Sequence, residues 1–240
     1  ETQLFADNDV NLLLMVIALA TMIVGVLGAV AQAELKRILS FTLVSHVGYM
    51  IFGLAIGTAE AIGVTVYYIV HHIIVQTTLF LAVGLVERRA GSTSILKVKG
   101  LMKAAPVIAV LYFIPAINLG GLPPFSGFIG KFALFEAAAE VGTPIMLVLI
   151  VGGIVTSLLT LYALMRAWNL AFWREEDDQA APDAQIAYLD MAPAAGVQTQ
   201  RRIIPKVMTA ATGGMVAVTI GLTVFAGPLL GITARAGIEL

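Results

Sequence analysis

The chain has 240 residues, of which 59% are hydrophobic and only 12% charged, and its mean hydropathy is +0.95. Soluble domains carry about 25% charged residues, so water is not the main solvent of this chain. A net charge of −1, no cysteine and three histidines exclude a bulk basic field for nucleic acid, disulfides and iron–sulfur ligation, and leave few ligands for a metal site; no cofactor is expected.

A bilayer core needs about 20 apolar residues per helix. About six segments meet that requirement, at 10–32, 38–58, 61–86, 105–139, 143–172 and 205–231, with ends placed to within about 2–4 residues. The predicted fold is an all-α polytopic membrane protein, a single transmembrane domain over 1–240. The chain opens Glu1-Thr-Gln without Met, and the first apolar run is too long and wrongly flanked for a signal peptide. A fragment of a longer protein is therefore expected.

Between the first two segments, Glu34-Leu-Lys36-Arg37 is an ordinary charged turn at a membrane surface. The second segment carries His46, for which structural and relay readings are balanced. In the third, Tyr68, His72 and Gln76 are spaced i, i+4, i+8 and so share one helix face, with His71 beside them. A polar stripe of this kind can line a file of waters, and histidine titrates near neutral pH and can accept on one nitrogen while donating from the other. The bland alternative is interhelical hydrogen-bond glue.

The fourth segment contains Ile117-Asn-Leu-Gly120-Gly121-Leu-Pro123-Pro124-Phe-Ser126-Gly-Phe-Ile-Gly-Lys131. Proline removes a backbone donor and clashes with the preceding turn, while glycine permits the compensating torsions, so the helix is predicted to break here. Broken helices at membrane depth survive where protein or water satisfies the freed backbone, and they commonly build ion sites. Lys131 lies about two turns beyond the break. Burial disfavours its charge and a nearby carboxylate or water favours it, which would let the amine load and release a proton. A snorkelling lysine, or a simple proline kink between two helices, is the competing reading. Glu136 and Glu140, one turn apart further along, are a solvated outer rim or a cation exit.

Trp168, Phe172 and Trp173 beside Arg166 and Arg174 are expected to form an aromatic interface belt. The stretches Glu87–Ala104 and 174–203 are polar, the second a solvated cytoplasmic loop containing Glu175, Glu176, Asp177 and Asp178. With alternating spans, one side collects Lys36, Arg37, Arg88, Arg89, Lys97, Lys99, Lys103, Arg166, Arg174, Arg201, Arg202 and Lys206, and the other only Arg235. By the positive-inside rule the basic side is cytoplasmic, in the plasma membrane, and both ends of the chain face outward.

Three blocks carry a resemblance. Gln32-Ala-Glu-Leu-Lys-Arg-Ile-Leu-Ser-Phe-Thr-Leu-Val-Ser-His-Val-Gly-Tyr-Met resembles the signature Q-x-D-L-K-R-x-L-A-Y-S-S-V-S-H-x-G-Y-M of antiporter-like subunits. His71-His-Ile-Ile-Val-Gln-Thr-Thr-Leu-Phe-Leu and Leu122-Pro-Pro-Phe-Ser-Gly-Phe-Ile-Gly-Lys follow in the same order. The chain thus resembles the proton-conducting subunits of Mrp cation/proton antiporters and respiratory complex I, the D-type Mrp subunits above all.

That resemblance implies a family fold of two inverted repeats, each with a broken helix, around a hydrated file of Lys, His and Glu. It matches Lys131 to the family's Lys/Glu in the second broken helix and His72 to a relay histidine. Gln76 stands where many members carry lysine; it can hydrogen-bond water but carries no charge, which displaces the relay to His71 or His72. The chain would be the second half of such a subunit.

The implied function is proton translocation coupled to Na+ or K+ movement, with other subunits of a hetero-oligomeric membrane complex and the lipid bilayer as partners. The alternatives are a pumping subunit of a complex I-like NADH-quinone oxidoreductase or membrane-bound hydrogenase, which would be a translocase without its own redox site, and a scaffold that transports nothing.

Overall fold

The structure, a computed structural model, describes residues 8–174 and 205–239. The helices are α1 (Asn8–Ala31), α2 (Leu35–Ile56), α3 (Ala59–Ala90), the single turn α4 (Leu101–Ala104), α5 (Pro106–Gly120), α6 (Ser126–Val141) and α7 (Pro144–Trp168). A π-helical turn at Asn169–Trp173 extends α7, and α8 (Lys206–Val224) and α9 (Ala226–Glu239) follow. Among the described residues, α1, α2, α3, α7 with its extension and α8 are each long and apolar enough to cross a membrane. The segment expected at 105–139, with a break near 119–125, is two half-helices, α5 and α6, separated by a short non-helical link.

Helix α3 is the hub, packing against α2, α5, α6, α8 and α9. Its 32 residues span about 48 Å, more than the roughly 30 Å of a hydrocarbon core, so its last turns with Glu87, Arg88 and Arg89 project beyond it. There the connection to α4 folds back on the turn between α1 and α2: Leu35 N–H donates to Thr93 O at 2.9 Å and Ile95 N–H to Ala33 O at 2.9 Å. Lys36 pairs with Glu87 at 2.7 Å in an exposed ion pair. Arg166 donates to Val30 O at 2.7 Å, Arg174 to Leu96 O at 3.0 Å and Arg89 to Ala104 O at 3.2 Å, which gathers these basic residues at one end of the bundle. Arg235 lies on α9, which packs against the first turns of α3 at the opposite end.

The apolar core falls into two packs. One joins Leu39, Leu79, Leu85, Tyr112, Leu119, Leu164, Trp168 and Phe172 near the basic end; the other joins Met22, Tyr49, Phe52, Tyr68, Leu134 and Leu149 near the opposite end. Between them, at the middle of α2, α3 and α7 and beside the α5–α6 link, lie the buried polar residues His46, His71, His72, Asn118, Ser126, Lys131 and Thr156.

The structure corrects two expectations. Trp168 and Phe172 do not form an interface belt: their rings stack at 4.6 Å inside the core against Tyr112, and Trp173 is the exposed member at 65%. The last segment, expected over 205–231, ends at Val224, and Ala226 begins a separate helix with Pro228 in its first turn, where a missing N–H costs nothing. The loop expected at 174–203 lies, beyond Arg174, outside the described residues, as do Arg201 and Arg202.

Candidate functional site

The site is built around the break between α5 and α6. Gly121 adopts φ +82, a left-handed torsion natural to glycine, and closes α5 as a Schellman motif: Gly121 N–H donates to Asn118 O at 3.0 Å and Leu122 N–H to Ile117 O at 3.1 Å. The carbonyls of Leu119 and Gly120 remain without helical partners, as at any helix C-terminus. Side chains satisfy both. Lys131 Nζ donates to Leu119 O at 3.1 Å, and Ser157 Oγ on α7 donates to Gly120 O at 3.0 Å. Pro123 and Pro124 occupy the link, joined by a cis peptide bond.

Lys131 is only 3% exposed. Besides Leu119 O it donates to Ser157 Oγ at 2.9 Å, and it sits 5.2 Å from the centroid of the Tyr49 ring, a distance at which the ring face attracts a cation. The Tyr49 hydroxyl is held by Gly153 O and by Thr156 Oγ1 at 2.9 Å. Among the described residues Lys131 forms no ion pair with a carboxylate; the negative end of α5 faces the amine in its place.

At the start of α6, Ser126 N–H donates to Thr223 Oγ1 of α8 at 3.1 Å. Gly127 N–H donates to Asn118 Oδ1 at 2.9 Å, and Ser126 Oγ donates to the same oxygen at 3.2 Å. With its single proton used there, Ser126 Oγ accepts from His71 Nδ1 at 2.9 Å. This fixes the neutral His71 tautomer, leaving Nε2 as a bare acceptor. A Cβ on Gly127 would lie 2.0 Å from Asn118 O and 3.1 Å from His71 Nε2, so glycine is required where the two half-helices meet.

The other face of α3 looks to α2. Tyr68 and His46 Nδ1 share a hydrogen bond at 2.8 Å, the His46 and His72 rings stack at 4.9 Å, and Gln76 Nε2 donates to Leu39 O at 2.6 Å. Tyr68, His72 and Gln76 therefore line one surface, while the neighbouring His71 turns toward the break. Buried atoms with no protein partner cluster here: His46 Nε2, His71 Nε2, both ring nitrogens of His72, Gln76 Oε1, Asn118 Nδ2 and Tyr67 OH. Such atoms are costly unless water satisfies them.

Glu136 and Glu140 are both exposed on the later turns of α6, away from the break. The residues that sequence reasoning missed are Tyr49, Asn118, Thr156 and Ser157. Asn118, a lone amide inside an apolar run, was the one with a readable signal.

Residues 2–160 match the family described as NADH:quinone oxidoreductase/Mrp antiporter, TM. The chain is 46% identical over 164 residues to the D-type subunit of the Na(+)/H(+) antiporter of Alkalihalophilus pseudofirmus, an alignment covering 68% of this chain and 33% of that protein. It is 36% identical over 181 residues to the D-type subunit of the Na(+)/H(+) antiporter of Bacillus subtilis, covering 75% and 36%. The structure of the Mrp complex from a Dietzia species matches with a TM-score of 0.80 at 29% identity, covering 96% of this chain and 47% of that one. The chain thus spans about a third of the length of the curated relatives it matches. On its apolar helices, its broken fourth segment and these likenesses, the chain is a multi-pass membrane protein that belongs to the NADH:quinone oxidoreductase/Mrp antiporter transmembrane family.

Proposed function

We propose that this chain is the proton-translocating part of a subunit of a multisubunit Na+/H+ antiporter. The observation that carries the reading is Lys131: an amine 3% exposed, held on a backbone carbonyl that a broken helix leaves free, without a carboxylate partner among the described residues. A structural lysine in hydrocarbon would be paired or would reach an interface. The proton file runs from Lys131 through water to His71 and His72 and on to His46 and Tyr68, with Gln76 as an uncharged hydrogen-bonding station. The chain acts as a transporter subunit and not as an enzyme. Its partners are the other subunits of a hetero-oligomeric complex, and its ions are H+ and Na+ or K+. It sits in the plasma membrane with the basic end cytoplasmic, following the distribution of Lys and Arg.

The test is Lys131→Ala in the assembled complex, reconstituted in proteoliposomes with a pH-sensitive dye inside. Sodium-driven proton movement is expected to be abolished while assembly persists. Wild-type flux would remove Lys131 from the file.

A second reading, a pumping subunit of a complex I-like oxidoreductase, is favoured by the family's joint description. It predicts proton movement that requires an electron donor and ignores a sodium gradient, so the same vesicles separate the two.

A further inference from the structure

Ser157 lies on the middle of α7 and has no counterpart in the charge or motif patterns of the sequence. Its hydroxyl joins the two sides of the break: Oγ donates to Gly120 O at 3.0 Å and accepts from Lys131 Nζ at 2.9 Å. A Cβ on Gly121 would stand 3.2 Å from Ser157 Oγ and from Lys131 Nζ alike, so the three groups are packed into one contact. The next residue back, Thr156, holds the hydroxyl of the ring above which the amine sits. One turn of α7 thus positions both the amine and its aromatic neighbour.

The chemistry of these partners differs. A charged lysine has three donors and no acceptor, and carbonyl and hydroxyl oxygens both suit it. A neutral lysine keeps two N–H groups and exposes a lone pair, which needs a donor. Leu119 O and Gly120 O can only accept, and the Tyr49 hydroxyl, which also neighbours the Ser157 hydroxyl, is engaged by Gly153 O and Thr156. Ser157 carries a hydrogen that can swing from Gly120 O to Nζ, with Leu119 O still accepting from the amine. It can therefore bond the amine in both charge states.

We infer that Ser157 is a positioning residue for Lys131, a reversible hydroxyl that accepts from the charged amine and donates to the neutral one, keeping it registered on the end of α5 throughout. This rests on the proposed role of Lys131 in proton movement. The effect is on the pH dependence of transport, since removing the hydroxyl changes the two charge states unequally; a residue that merely packs helices would alter assembly or maximal rate and leave the pH midpoint in place.

The experiment compares Ser157→Ala, Ser157→Thr and Ser157→Cys with the parent complex in proteoliposomes, recording cation-driven proton flux across pH, and repeats Ser157→Ala on a Lys131→Ala background. Ser157→Ala loses a bond in each charge state, and because the bond to the charged amine is the stronger of the two, the difference displaces the midpoint by about 0.4–1 pH unit, with Thr restoring the parent profile. Cys, close in size but a weak hydrogen-bonding group, is expected to behave like Ala and decides the matter if Ala does not assemble. An unmoved midpoint in an assembled Ala or Cys variant overturns the role of Ser157. The double variant is expected to match Lys131→Ala alone; a further loss there would show that Ser157 acts independently of the amine. Wild-type flux in Lys131→Ala would instead remove the proton file itself, an outcome distinct from failure at Ser157.

Discussion

Gly127→Ala tests whether the two half-helices must meet as closely as they do. The added Cβ would lie 2.0 Å from the carbonyl oxygen of Asn118, where contacts under 3.0 Å force a shift. The obstacle is backbone and cannot rotate away, so α6 must withdraw from α5 by at least about 1 Å. That opening stretches Gly127 N–Asn118 Oδ1 from 2.9 Å, Ser126 Oγ–Asn118 Oδ1 from 3.2 Å and His71 Nδ1–Ser126 Oγ from 2.9 Å to about 4 Å, beyond hydrogen-bond range. At roughly 0.5–1.5 kcal/mol each, the loss amounts to about 1.5–4.5 kcal/mol, and a 1 Å misplacement of working groups can lower a rate by about a hundredfold. The assay pairs thermal unfolding in detergent with proton flux in proteoliposomes. Gly84→Ala on α3 is the control, since nothing lies within 4 Å of its Cβ position and alanine favours a helix by about 0.5–1 kcal/mol. Wild-type stability and flux in Gly127→Ala would refute the tight junction.

Tyr68→Phe keeps the ring and removes the hydroxyl that pairs with His46 Nδ1 at 2.8 Å; stability is expected to fall by about 0.5–1.5 kcal/mol and flux to fall with it, and unchanged values for both would remove that pair from the file. Glu87→Gln breaks an exposed ion pair with Lys36, whose side chains are 49% and 46% exposed. Unfolding measurements should register less than about 1 kcal/mol, and flux should be unaltered. A collapse of flux would bring the charged turn into the transport path and contradict its reading as surface punctuation.

The break was legible because glycine and proline act locally: Gly120-Gly121 readily supplies a left-handed helix end, and Pro123-Pro124 removes two backbone donors in succession. The shared face of Tyr68, His72 and Gln76 was legible from period alone. Ser157 and Tyr49 were not, since a hydroxyl or a ring in an apolar helix is common packing material, and their significance depends on which residue of α6 arrives opposite. Trp168 and Phe172 misled because aromatic residues near arginine fit a membrane interface and an interior stack equally well; only the approach of Tyr112 on α5 separates the two. Apolar character continues past Val224, which concealed the end of α8, although Gly227-Pro228 was a local sign of a new start.

The seating of the polar side chains between two apolar packs also has an electrical meaning. A membrane potential falls across insulating material and does work on a charge only as it moves along the field, about 2.3 kcal/mol per charge for each 100 mV crossed. On the proposed file, the sideways leg from Lys131 to His71 and His72 would traverse little of that drop. Voltage would therefore act on the entry and exit legs, through the Leu39–Phe172 pack and the Met22–Leu149 pack, and substitutions that wet either one should change how steeply transport responds to an applied potential.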